Sequence, residues 1–153
     1  MLKKNLLGTK VLAELLPHRP RRNIVISLLT VSEDRYPNVC LLSPYQVVAK
    51  DGQTIFLAVY EGSRTSANLA KHKGATLILF LPPAAYYVKG VVEPVSSNPS
   101  VWGNIFRMGV TRVTRDYYRR APITSTVTFE EANVLSDYSR VFRDLVEAAR
   151  QTT

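Results

Sequence analysis

Apolar positions change their period several times along the chain, and each change marks an element. Leu6, Leu7, Val11, Leu12, Leu15 and Leu16 recur near helical spacing, and Pro17 and Pro20 close the segment, which predicts a short amphipathic helix. From 24 to 31 the run IVISLLTV is almost entirely β-branched or aliphatic and predicts a strand; the polar SEDRYPN stretch after it supplies a turn, and VCLLS at 39–43 a second strand. Asp51-Gly52, set between VVA and TIFLAVY, predicts a two-residue type I′ hairpin joining strands near 45–49 and 53–60. Gly62-Ser63-Arg64-Thr65 then switches strand to helix, with Ser63 as N-cap, Leu69 on the buried side and an end around Lys73-Gly74. ATLILFL at 75–81 and AYYVKGVVEPV at 85–95 read as two further strands joined by Pro82-Pro83.

In the last third, Asn98-Pro99 resembles an N-cap and first helical position, and Trp102, Ile105, Phe106, Val113 and Tyr117 follow at helical spacing. This predicts a helix carrying an arginine cluster. TSTVTF at 124–129 alternates like a final strand. Thr128 with Glu131 forms a capping box for a C-terminal helix whose buried stripe is Leu135, Tyr138, Phe142, Leu145 and Ala149. The pattern predicts one α+β, mainly β domain over 1–153, with a core at about 23–129, a C-terminal helix at about 129–150 and six or seven largely antiparallel strands. The length of 153 residues, 46% hydrophobic and 21% charged, suits one such core and is short for two.

Charge narrows the partners. The chain carries 20 Lys and Arg against 12 Asp and Glu, a net +8, concentrated in residues 1–22 and in five arginines between 107 and 120. Such clustering favours an anionic partner: a phosphorylated small molecule, nucleic acid or an acidic surface. The single cysteine, Cys40, excludes an intrachain disulfide framework and a Cys-based zinc site, and predicts a reducing, cytoplasmic setting. Apolar runs are too short to span a bilayer, so no membrane is expected. His18 and His72 lack metal-ligand or catalytic-triad spacing, and no metal is expected. Neither G-x-G-x-x-G nor the G-x-x-x-x-G-K-[ST] phosphate loop occurs. No catalytic residue can be named, and Cys40 itself reads as a packing residue.

FLAVYEGSRTSANL, 56–69, is the informative segment. A buried strand delivers the chain into a helix through a turn of small residues. Unpaired amides at a helix start favour an anion, and Ser63, Arg64 and Thr65 add two hydroxyls and a guanidinium able to fork onto phosphate. The alternative is that Ser63 is only a cap and Arg64 a solvated side chain. In context, LLTVSEDRYPNVCLLSPY, GQTIFLAVYEGSRTSANLAKHKGATLILF and YYVKGVVEPV together resemble the FMN-binding split-barrel proteins related to pyridoxamine 5′-phosphate oxidase, over about residues 24 to 93.

That resemblance implies a six-stranded antiparallel split β-barrel with flanking helices, a homodimer and FMN at the subunit interface. Ser63, Arg64 and Thr65 match residues gripping the FMN phosphate, and Asn68 a polar side chain further along that helix. Cys40, Leu41, Leu42 and Ser43 match the strand beside the isoalloxazine; Ala58, Val59 and Tyr60 match the strand end along the ribityl chain. Cys40 and Ala85 stand where the oxidase has a basic residue and a Gln. The implied activity is an FMN-dependent oxidoreductase, a flavin reductase or oxidase-like enzyme, passing hydride from a nicotinamide or small organic donor to an acceptor the sequence does not name. Alternatives are a reductase using the deazaflavin F420, and non-enzymatic nucleic-acid or haem binding.

Overall fold

Backbone pairing explains most of the architecture. A computed structural model describes residues 4–95, 103–130 and 135–151. Among them, α1 (Gly8–Leu15) precedes β1 (Ile26–Val31), β2 (Pro37–Leu42), β3 (Val47–Asp51) and β4 (Thr54–Tyr60). There follow α2 (Arg64–His72), β5 (Gly74–Leu81), β6 (Ala84–Pro94), β7 (Gly103–Asp116) and α3 (Leu135–Gln151). The seven strands form one antiparallel sheet in the order β2-β1-β5-β6-β7-β4-β3. Its two edges, β2 and β3, are consecutive in sequence, joined only by Ser43 and a single 3₁₀ turn at Pro44–Gln46. Edges tied so closely oblige the sheet to curl into a half-barrel. Ile26, Leu28, Leu42, Val47, Ile55, Leu57, Leu77, Leu79, Val88 and Met108 accordingly share one core, which Val11 and Leu15 of α1 and Leu69 of α2 enter as well.

β4 is buried on both faces up to Tyr60, which accounts for its unbroken apolar run. Its outward side chains Phe56 and Ala58, with Val48 and Ile105, form a second core that Val141, Leu145, Ala148 and Ala149 of α3 cover. The C-terminal helix is therefore a lid on the outer face of β3 and β4. Tyr138 and Phe142 of the expected stripe are only half-buried, and Phe142 meets Tyr45 edge-on, ring centres 5.9 Å apart. The side chain of Leu135 and residue Glu131 of the expected capping box lie outside the described residues.

Three expectations are corrected. Residues 103–116 form β7, not a helix; Asn98, Pro99 and Trp102 lie outside the described residues. β7 bonds β4 along one edge and β6 along the other, satisfying backbone groups that a helix there would leave orphaned in both strands. Phe106, Met108 and Val110 alternate into the core with period two, so the helical spacing of Ile105, Phe106 and Val113 was coincidental. This gives seven strands in place of six. Next, TSTVTF contributes only a bridge, Thr128 opposite Ile24, flanked by bonds from Val25 N to Val127 O (2.9 Å) and Phe129 N to Asn23 O (2.8 Å).

Finally, the β3–β4 reversal is not type I′. Asp51 pairs with Thr54 across Gly52-Gln53, and positive φ occurs at Gly8, Gly62, Arg35 and Lys73 but not at Gly52. Asp51 Oδ1 accepts from Gln53 N at 2.9 Å, a local bond that shapes the turn. Glycine is required for a different reason: a Cβ there would lie 2.5 Å from Asn5 Oδ1 and 2.7 Å from Asn5 Cα. The Gly52 carbonyl accepts from both Leu6 N and Leu7 N at 3.0 Å, tying the start of α1 to the hairpin.

Candidate functional site

Where β4 ends, Tyr60 O accepts from Ser63 N at 3.2 Å and from Ser63 Oγ at 2.7 Å. Gly62 makes that tight reversal possible with φ +76°. Ser63 Oγ also accepts from Ser66 N at 3.1 Å, so its single proton is committed to Tyr60 O while it caps α2. It does not offer a proton to a ligand. The first-turn amides of Arg64 and Thr65 have no carbonyl to bond within the helix, and Arg64 points its exposed side chain outward beside them.

The buried face of α2 is polar. Thr65 turns toward β2, where its Oγ1 accepts from Asn38 Nδ2 at 3.1 Å and bonds the Cys40 thiol. Asn68 donates to Thr30 Oγ1 at 3.0 Å and Ser32 Oγ at 2.9 Å, and Ser66 Oγ accepts from Asn104 Nδ2 at 2.8 Å. These bonds lock the helix against β1, β2 and β7, fixing its N-terminus rigidly. Burial pushes the Cys40 thiol up, with the Thr65 bond acting in the opposite direction.

A cavity of about 570 Å³ opens at this corner. Ser63, Arg64, Asn68 and Lys71 line its helix side; Ser32, Glu33 and Asp34 of the β1–β2 loop line the other. Lys71 is ion-paired with Glu33, and Asp34 Oδ1 accepts from Tyr36 N at 3.0 Å. Among the described residues Arg64 has no hydrogen-bond or ion-pair partner. Positive charge free for an anion is therefore concentrated at the Arg64 end, and the two carboxylates repel an anion from the opposite wall. A phosphate fits beside Arg64 and the first-turn amides; the residues present accommodate that part of a flavin mononucleotide.

The structure thus brings Ser63, Arg64 and Asn68 onto one cavity and places Thr65 beneath it. Cys40 lies half-buried beside Thr65. Leu41 and Tyr60 are 59% and 54% exposed and lie outside the cavity lining. Leu42, Ser43, Ala58 and Val59 are buried, and Ala58 O already accepts from Gln46 Nε2 at 3.1 Å. Sequence reasoning missed Glu33, Asp34 and Lys71. Lys71 stands seven residues after Arg64, two helical turns along one face, a signal the sequence does carry. The placement of Ser32, Glu33 and Asp34 against that face needed the β1–β5 pairing.

No family model matches the chain. It is 28% identical over 123 residues to the uncharacterized protein YclD of Bacillus subtilis (strain 168), covering 77% of this chain and 80% of YclD. Among solved structures, a point variant of HupZ from Group A Streptococcus superposes with a TM-score of 0.57 at 13% identity, over 71% of this chain and 98% of that one. An F420 reductase gives 0.52 at 17% identity, over 70% and 96% of the two chains. An FMN-binding protein of Syntrophomonas wolfei gives 0.51 at 14%, over 60% and 76%. The curled antiparallel sheet, with a capped helix crossing its open corner, is therefore the split-barrel fold of the proteins related to pyridoxamine 5′-phosphate oxidase.

Proposed function

We propose that the chain is an FMN-dependent oxidoreductase that works as a homodimer on small organic molecules, with a nicotinamide nucleotide or small organic donor as reductant. The single observation that carries this reading is the start of α2, where a guanidinium and two unpaired amides lie at an open cavity of about 570 Å³, within the range of small-molecule sites. The FMN-binding and F420 reductase neighbours support a flavin or deazaflavin on this fold.

A bound flavin supplies the redox chemistry itself, accepting and returning hydride, so the protein needs no nucleophile of its own. The roles left to this chain are binding and orientation. Arg64 and the amides of Arg64 and Thr65 hold the phosphate. Asn68 and Thr65, through Thr30, Ser32 and Asn38, keep that helix end from shifting. Leu41 and Tyr60 offer exposed apolar surface for a planar ring.

Titration of the purified protein with FMN, followed by flavin fluorescence and the visible spectrum, tests the reading. Saturable binding is expected, weaker by about 1.5 to 3 kcal/mol in Arg64→Ala because a charge-assisted hydrogen bond is lost. Parallel titrations with F420 and haem identify the cofactor: tighter binding of either replaces FMN, and binding of none refutes the proposal.

A further inference from the structure

A second depression lies on the outer face of the sheet, and its residues follow from the strand registers. Leu29 pairs with Thr76, Thr76 with Lys89 and Lys89 with Arg112, so these four side chains form one row across β1, β5, β6 and β7. In the adjoining row Gly74 pairs with Val91, beside Val31. Gly74 leaves a hole in that row: a Cβ there would have only His72 O, 4.0 Å away, near it. The resulting groove encloses about 460 Å³. Leu29, Val31 and Pro37 supply apolar floor, and Arg35, Tyr36 and Lys89 rise at its margins.

Its charges are unbalanced. Lys89 and Arg112 are adjacent like charges on exposed positions, an arrangement that costs stability unless an anion lies between them. Arg35 and Lys89 line the groove, Arg112 stands next to Lys89 just outside that lining, and no carboxylate lines it. Among the described residues, none of the three head groups has a hydrogen-bond or ion-pair partner. The β1–β2 loop is sided: Glu33 and Asp34 face the α2 cavity, whereas Arg35 and Tyr36 face this groove. Val31 and Val91, each 50% exposed, and Tyr36, 75% exposed, extend the apolar surface around it.

We propose that this groove is a second ligand site, distinct from the α2 corner, that takes a small flat apolar molecule bearing one anionic group. The apolar body lies over Gly74 between Val31 and Thr76, and the anion is held by Lys89 and Arg35, with Arg112 beside Lys89 adding to the positive field. The inference stands on the outer face alone and does not depend on the cofactor proposed above.

The probe is 8-anilinonaphthalene-1-sulfonate, an aromatic sulfonate whose fluorescence rises on binding, with uncharged N-phenyl-1-naphthylamine as its partner. One saturable sulfonate site per chain is expected, with the neutral compound binding at least about tenfold more weakly. A Cβ at Gly74 meets no backbone atom nearer than 4.0 Å, so Gly74→Val should project into the groove and lower affinity about tenfold or more. Lys89→Gln and Arg35→Gln should each lower it several-fold, and Arg64→Ala should leave it unchanged. Unchanged binding in Gly74→Val with its melting temperature retained overturns the site, as does equal affinity for the neutral probe. If Gly74→Val fails to fold, unchanged binding in both charge variants overturns it. Sedimentation showing a wild-type dimer that excludes the probe, with Gly74→Val monomeric, also overturns it by assigning the groove to a second copy.

Discussion

Arg21 joins three elements through one half-buried side chain, and its removal has a calculable effect. Its Nη1 donates to Glu14 O at 2.8 Å and Leu16 O at 3.0 Å, and its Nη2 to Leu15 O at 3.0 Å and Val47 O at 3.3 Å. The first three acceptors are the open carbonyls at the C-terminal end of α1, where a cation is favoured; the fourth belongs to β3. The guanidinium also lies 4.6 Å from the centre of the Phe142 ring in α3. Burial lowers its pKa to about 10, still well above neutrality, so the carbonyls meet a full cation.

Arg21→Met keeps the apolar stem and removes every donor. Four bonds from a charged donor at about 1.5 to 3 kcal/mol each give a gross loss of about 6 to 12 kcal/mol. Most is offset, because the guanidinium regains its desolvation cost and water reaches part-buried carbonyls. A net loss of about 3 kcal/mol is expected, or a fall in Tm of about 6 to 12 °C for a chain of this size. Arg21→Lys keeps the charge but not the fork and should lose roughly half as much. Urea unfolding followed by circular dichroism at pH 7 measures both. Arg21→Met within about 0.5 kcal/mol of the wild type, or equal to Arg21→Lys, would show that the fork does not hold these elements together. The pH dependence has a definite sign. Since folding lowers this base's pKa, the folded state releases its proton before the unfolded one, and the desolvation cost of Arg21 should ease as pH rises through about 10.

Two further outcomes follow from the α2 corner. Asp34→Asn and Glu33→Gln remove the carboxylates facing Arg64 and should tighten FMN binding by about 0.2 to 1 kcal/mol each, an effect that shrinks with salt; titrations at low and high ionic strength that show weaker binding would misplace the phosphate. Cys40, its thiol pushed up by burial, should react with iodoacetamide more slowly than glutathione at pH 8 and accelerate with rising pH beyond the free-thiol range; faster reaction at pH 8 would contradict the described packing.

The amino-acid sequence by itself determined the elements whose signals are local. Ser63 caps α2 because its hydroxyl reaches Ser66 N within one turn. The apolar runs at 26–31, 54–60 and 75–81 are strands because β-branched residues bury well on a pleated surface. The GSRT-x-x-N-L segment likewise places Ser63, Arg64 and Asn68 on the lining of one cavity.

Only the tertiary structure decided the state of residues 103–116. Their side chains fit either period, and the deciding energy is the backbone bonding of β4 and β6, strands far away in sequence. It likewise decided which hydroxyls remain free. Ser63 and Thr65 look equivalent in the sequence, yet one is consumed by the cap and the other by Asn38. The pairing of Lys89 with Arg112 and the hole left by Gly74 are also legible only once strands are in register, because charges and gaps belong to a face that several distant segments build together.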